Sequence, residues 1–159
     1  YINDAKIAEA LAQMLNRVGI EASVETMPKA VYFKRASRGG PNKSPEFSFM
    51  LLGWGAGSGE ASSPLKALLH TYDKSKGLGA ANRGRHSDAE VDKLVKQALA
   101  TVDADARGAL LAKATEKAVG ENYGVIPMHY QVNTWAAKAG YKYLPRTDER
   151  TIVTGLSNN

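Results

Sequence analysis

The first 54 residues alternate between two hydrophobic periodicities, and this alternation restricts the fold more than any other feature. Asn3 or Asp4 can cap a first helix that Gly19 would end. The apolar residues of this helix recur at helical spacing and form one stripe: Ile7, Leu11, Met14, Leu15 and Val18. Residues 20–26 then alternate apolar and polar side chains with a period of two, which predicts a strand with one buried face.

Two further elements continue this order. Pro28 stands where the first turn of a second helix is expected, and the pattern extends that helix to about Ser37. After a polar loop, residues 47–53 form a nearly continuous apolar run, as expected for a strand that is covered on both faces. Helices that alternate with strands usually flank a sheet. The sequence therefore predicts an α/β fold, with a sheet that includes residues 20–26 and 47–53.

Helical patterns dominate the second half of the chain. Ser63 before Pro64 predicts a helix start, and Ser87 with Glu90 has the spacing of a capping box. The predicted buried stripe of the helix that follows consists of Val91, Leu94, Val95, Ala98 and Leu99. Asp103 or Asp105 begins another helix, whose predicted inward residues are Leu110, Leu111, Ala114 and Ala118.

The last part of the chain returns to strand-like chemistry and then becomes polar. Residues 125–137, VIPMHYQVNTWAA, favour a strand, and a polar tail runs from about residue 142. No internal repeat or low-complexity segment is visible. A single domain over residues 1–159 is the simplest interpretation.

Composition excludes several classes of protein. Hydrophobic residues make up 43% and charged residues 23% of the chain, as in ordinary globular proteins. The longest apolar run is too short to cross a bilayer. The chain has no cysteine, which excludes disulfides and thiolate metal sites. It opens on Tyr1 without a leader, and we expect a mature or truncated segment.

The net charge of +5 raises the question of an acidic partner. One stretch without any acidic residue holds Lys29, Lys34, Arg35, Arg38 and Lys43. No nucleic-acid-binding module is recognisable, so no nucleic-acid partner is expected. A basic interaction module that binds an acidic partner through residues 29–43 remains an alternative function.

No catalytic or cofactor-binding constellation is assembled in the sequence. Gly55 and Gly57 begin the spacing of a dinucleotide-binding loop, but Glu60 occupies the position of its third glycine. No G-x-S-x-G motif is present, and three histidines lie far apart along the chain without carboxylates at metal-ligand spacing. We therefore predict a protein that is not an enzyme and has neither metal nor cofactor.

The glycine-rich segment after residue 53 carries the strongest suggestion of a binding site. Trp54 offers a broad, rigid aromatic face among residues that have almost no side chain. Glycines let the backbone bend sharply or approach another molecule closely. This combination predicts a loop that lies against a ligand, the alternative being that Trp54 belongs to the core.

Three segments resemble a known family. Residues 7–27, IAEALAQMLNRVGIEASVETM, are similar to a helix, turn and strand of the family 5 solute-binding proteins of bacterial ABC importers. Residues 49–70, FMLLGWGAGSGEASSPLKALLH, resemble their strand, G-W-G-A loop and helix. The third segment, residues 82–99, resembles an asparagine-rich loop with its helix, and residues 125–136 further match the closing strand. The likeness covers about residues 3–138 and concerns the C-terminal lobe of the dipeptide- and oligopeptide-binding group.

The resemblance implies a fold and a function. It implies one lobe of the type II periplasmic-binding-protein fold, in a fragment of a longer two-lobed protein. Such a protein binds a peptide or similar small solute in the cleft between its lobes and delivers it to the permease subunits of an ABC importer. The implied location is the periplasm, or the outer side of the membrane as a lipoprotein, and the implied state is a monomer.

The resemblance also places candidate ligand-binding residues. They are Trp54, Gly55, Ala56, Gly57, Ser58, Glu60, Arg35, Arg38, Asn82, Arg83 and Arg85. Peptide binders of the family often carry an aspartate where this chain has Gly57, so Glu60 is the candidate replacement as partner of a ligand ammonium. The alternatives for Glu60 are a solvated loop charge or an interaction with the helix after Ser62. The arginines are candidates for a ligand carboxylate, because guanidinium groups bind carboxylates with paired hydrogen bonds; the alternative for each is a surface charge.

Overall fold

The structure is a computed structural model that describes residues 1–38, 44–47, 49–146 and 148–158, without the side chain of Arg38. The chain divides into two compact units, residues 1–127 and 128–159, here called the N-terminal and C-terminal units. The described residues form a mainly helical protein with one small two-stranded sheet. That residues 1–159 form a single lobe is still a prediction.

The described residues of the N-terminal unit form five α-helices. They are α1 (Asp4–Arg17), α2 (Lys29–Arg38), α3 (Ser62–Pro64), α4 (Ala89–Ala100) and α5 (Ala104–Thr115). A π-helical turn at Leu65–Leu69 continues α3, another at Glu116–Glu121 continues α5, and a short 3₁₀ turn spans Lys74–Lys76. The helices predicted from hydrophobic periodicity are thus confirmed.

The core lies where α4, α5 and the turn after α3 meet. Its buried residues are Leu65, Leu69, Val91, Val95, Ala98, Leu111, Ala114 and Ala118. Most of the two predicted stripes is therefore buried, and Leu94 and Leu110 pack at the edge of this cluster. Leu99 is about half exposed, which corrects its assignment to the buried stripe of α4.

Helix α1 forms as predicted but buries none of its residues among the described part of the chain. Met14 and Val18 of its apolar stripe are exposed. The helical spacing therefore predicted the local conformation correctly, whereas the expected burial requires a packing partner that the described residues do not supply.

The predicted sheet containing residues 20–26 and 47–53 is not formed by the described residues, which exclude Ser48. The described residues of both segments have no regular secondary structure and no strand partner, and Phe49 is 68% exposed. Side chains form hydrogen bonds with main-chain groups that would otherwise pair with a neighbouring strand. The Asn16 amide bonds to both the N–H and the C=O of Ala22. The hydroxyls of Tyr1 and Tyr32 donate to the carbonyl oxygens of Gly53 and Leu51.

The prediction of a strand over residues 125–137 is also wrong, since these residues have no ladder partner in the described chain. Sheet structure lies instead in the region predicted to be a polar tail. Strand β1 (Tyr141–Tyr143) pairs antiparallel with β2 (Leu156–Asn158), and Tyr141 faces Asn158 in the register. A 3₁₀ turn at Val153–Gly155 precedes β2. Strands of three residues are too short to show a period-two pattern.

The cap of α4 corrects the predicted capping box. Asp88, not Ser87, is the N-cap, and its Oδ1 accepts from the N–H groups of Glu90 and Val91 at 2.8 and 2.9 Å. Ser87 instead bonds to the Thr71 hydroxyl. A charged carboxylate also interacts favourably with the positive end of the helix dipole, which explains why Asp88 holds this position.

We expect the contribution of Asp88 to stability to depend on pH. The N–H of Val91 and the Asn122 amide donate to its carboxylate and lower its pKa below the usual 3.8. The stabilisation is therefore present above pH 3.8 and lost as the pH falls through the lowered pKa. Asp88→Ala should lower Tm at pH 7, and its difference from wild type should shrink below pH 3.8.

Asp105→Ala is the matched control for this measurement, because Asp105 lies in the first turn of α5 but is not its cap. Its effect on Tm at pH 7 should be smaller. Equal losses for the two variants, or a loss for Asp88→Ala that does not change with pH, would contradict the assignment of the cap.

Candidate functional site

Trp54 lies outside the buried core of the described residues. Its side chain is 46% exposed, and its indole N–H has no hydrogen-bond acceptor in the described chain. The alternative that Trp54 fills the core is therefore not what the structure shows. An aromatic face of this size that is open to solvent is available for contact with another molecule.

The residues after Trp54 keep the backbone open around it. Ala56 and Ser58 are exposed, and a Cβ added at Gly55 or Gly57 would meet no atom within 4 Å. Gly59 closes a turn with its N–H 2.9 Å from the Ala56 carbonyl oxygen, and its φ of +74° is a conformation that glycine adopts readily. Main-chain groups beside the indole are thus accessible to a ligand.

Glu60 is held by its own chain. The Ser62 hydroxyl donates to Oε1 at 2.7 Å, and Arg107 Nε lies 3.1 Å from Oε2. The alignment at Arg107 is that of an ion pair without a well-directed hydrogen bond. Both residues line an open cavity of about 720 Å³ beside α5, with Gly108 and Leu111. A ligand ammonium at Glu60 would therefore compete with Arg107.

Arg35 has two carboxylate partners. Its guanidinium donates to Glu25 at 2.6 Å and, through Nε, to Glu46 at 2.9 Å, and it lies 5.0 Å from the centre of the Phe47 ring. The hydrogen bonds to Glu46 and Glu25 raise the pKa of Arg35, and Arg35 in turn lowers the pKa of Glu46. The structure thus gives Arg35 a structural ion-pair role. The side chain of Arg38 and all of Lys43 lie outside the described residues.

Asn82 is buried and connects main-chain groups of two histidines. Its amide nitrogen donates to the carbonyl oxygens of His70 and His86 at 2.9 and 2.7 Å, and its oxygen accepts from the His86 N–H at 3.0 Å. With 4% of its surface exposed, Asn82 holds the loop of residues 70–88 instead of facing solvent. The sequence indicated Asn82 as a candidate ligand-binding residue, whereas the structure shows it bound to main-chain groups of its own loop.

The two remaining arginine candidates pack on aromatic rings. Arg83 lies 5.3 Å from the ring centre of Phe33 and donates to the Ala81 carbonyl oxygen. Arg85 lies 4.5 Å from the ring centre of Tyr72. Arg85 is exposed, so its charge is accessible. The structure supplies no contact between either arginine and the loop of residues 54–60.

Asn82 connects two histidines that lie far apart along the chain, His70 and His86. The ring Nδ1 of His70 lies 2.7 Å from the Thr71 carbonyl oxygen and 3.3 Å from Asp92 Oδ1. The Nδ1 of His86 lies 2.7 Å from the Leu69 carbonyl oxygen. Because both Nδ1 atoms face acceptors, each carries the ring proton. No spacing signal predicts this pair, since Asn82 joins them through main-chain groups.

The described residues contain no group of three or more His, Cys, Asp or Glu side chains that could hold a metal ion. Among their helices, none is both long enough and apolar enough to cross a membrane.

Comparisons with protein-family models, curated proteins and solved structures find no match to this chain.

Proposed function

We propose that this chain is a ligand-binding lobe of an extracytoplasmic solute-binding protein of an ABC importer. The proposal rests on the three resembling segments, in their order and spacing, and on one structural observation. That observation is the exposed indole of Trp54, next to an unobstructed glycine-rich backbone. The finer fold assignment, one lobe of a type II periplasmic-binding fold, is part of the same proposal.

The chemistry around Trp54 favours a small uncharged or zwitterionic solute, and we take a short peptide as the first candidate. An indole face contributes apolar contact area at little entropic cost, and open main-chain N–H and C=O groups beside it suit the amide groups of a peptide. Glu60 and Arg35 already have partners of opposite charge. In the proposed site they are therefore secondary to Trp54.

The proposed protein acts as a monomer in the periplasm or as a lipoprotein outside the membrane, and it passes its solute to permease subunits. The alternative of a basic interaction module has less support. Arg35, at the middle of the basic stretch, pairs with Glu25 and Glu46 from outside that stretch. Its charge is thus largely compensated before any acidic partner arrives.

Native mass spectrometry of the protein that contains this chain tests the proposal most directly. Solute carried through purification would be identified by its mass, and calorimetry with that solute, or with trialanine if none is retained, would give its affinity. The affinity for an uncharged solute should change little with added salt. The absence of both a retained solute and trialanine binding would count against the proposal. An affinity that falls steeply with added salt would also count against it.

Trp54→Ala is expected to weaken solute binding by about 2 kcal/mol or more, roughly 30-fold, because aromatic residues at the centre of a contact carry a large share of binding energy. The free energy of unfolding should change by less than about 1 kcal/mol, because the indole is half exposed. Calorimetry and urea denaturation measure the two quantities.

Phe49→Ala is the matched control, since Phe49 is an exposed aromatic residue in the preceding apolar run. It should leave the affinity unchanged. Equal loss of affinity in both variants, or loss of stability by about 3–5 kcal/mol for Trp54→Ala, as for a core aromatic, would refute the role of Trp54.

A further inference from the structure

A second cavity lies entirely within the C-terminal unit. Its volume is about 360 Å³, within the range of roughly 300–1,000 Å³ typical of small-molecule sites. The strands β1 and β2, residues 151–153 between them and residues 135–138 line it, and it is open to solvent. Its lining is aromatic and aliphatic, chiefly Trp135, Tyr141, Tyr143, Ile152 and Leu156. Such a lining favours an apolar ligand body.

The aromatic walls are fixed before any ligand arrives. Trp135 Nε1 donates to Thr151 Oγ1 at 2.9 Å. The ring centres of Trp135 and Tyr143 are 5.8 Å apart. The Tyr143 hydroxyl donates to the Arg150 carbonyl oxygen and accepts from the Ile152 N–H at 3.1 Å. Both rings are thus held by hydrogen bonds, which reduces the entropy lost when a ligand binds.

Positive charge predominates in the unit that holds this cavity. Lys138 is the charged residue of its lining, and it makes no ion pair in the described chain. In residues 128–159 four basic residues stand against two acidic ones, and one of the acids, Asp148, is paired with Arg146. The local potential therefore favours an anion over a cation or a zwitterion.

We propose that this cavity binds a small monocarboxylate that carries one aromatic ring or a branched apolar chain. The apolar body packs against Trp135 and Tyr143, and the carboxylate interacts with Lys138. This ligand class follows from the combination of a fixed aromatic wall with the unpaired cation Lys138 in the lining. The site belongs to the C-terminal unit and the Trp54 loop to the N-terminal unit, and the inference does not depend on the solute-binding proposal.

Calorimetry with 3-phenylpropionate tests this site, with 3-phenylpropan-1-ol as the neutral compound of the same shape. The carboxylate should bind more tightly, by up to about fivefold, since an exposed ion pair contributes up to about that factor. Trp135→Leu should weaken binding of both compounds by tenfold or more. The resonance of the Trp135 indole N–H should shift on addition of either compound.

Two lysine variants separate the cavity from general charge. Lys138→Gln should abolish the preference for the carboxylate, and Lys142→Gln should keep it, because Lys142 lies on β1 but does not line the cavity. The proposal fails if neither compound shifts the Trp135 resonance, if both lysine variants act alike, or if the alcohol binds as tightly as the acid. Dimerisation that protects Tyr141 from solvent would also refute it, because a second copy would then fill the cavity.

Discussion

Replacing Asn82 by alanine is expected to destabilise the N-terminal unit by about 3 kcal/mol or more. The substitution removes three hydrogen bonds at once and leaves the carbonyl oxygens of His70 and His86 and the N–H of His86 without this partner. Each buried polar group left unsatisfied costs about 1–3 kcal/mol. The free energy of unfolding, obtained from urea denaturation, measures the effect.

Asn16→Ala provides the matched control for Asn82→Ala. The Asn16 amide also makes three hydrogen bonds to main-chain groups, to Ala12 and Ala22, but it is exposed. Water can replace those partners, so the loss should stay near 1 kcal/mol or below. Similar losses in the two variants would show that burial of Asn82 does not decide its contribution.

The second large effect is expected for Leu69→Ala. Leu69 is buried in the cluster that joins the turn after α3 to α4 and α5. Truncation removes apolar contacts and leaves a cavity, and changes of this kind cost about 2–5 kcal/mol. Leu99→Ala, at a half-exposed position on α4, should cost far less. If Leu99→Ala destabilises as strongly as Leu69→Ala, the described core is misplaced.

Helices were predictable from the sequence because their hydrogen bonds are local. The apolar spacing in α4 and α5 and the acidic residue at position 103 were enough to place both helices within a few residues. Strands depend on a partner that sequence periodicity does not specify. Residues 20–26 have the expected alternation and remain unpaired, while the three-residue strand β1 had no pattern to detect.

The candidate site was predictable only in part, for a similar reason. The sequence placed Trp54 among glycines, which predicted an accessible aromatic residue, and the structure exposes it. The sequence did not predict that Glu60 forms an ion pair with Arg107, a residue far along the chain. It also did not predict that Asn82 is buried, because polarity alone favours the surface. Ion pairs and buried amides between distant residues are set by tertiary packing.

The uneven distribution of buried residues divides the N-terminal unit into regions of different local stability. Helices α4 and α5 pack in the buried apolar cluster, whereas α1 contributes no buried residue to that cluster. We therefore expect main-chain amides in α1 and in residues 20–26 to open to solvent at a small fraction of the global unfolding free energy. The Trp54 loop, whose residues 54–59 are exposed, also lies outside this cluster. Under the proposed function, the loop would adjust to a solute while α4 and α5 keep their packing.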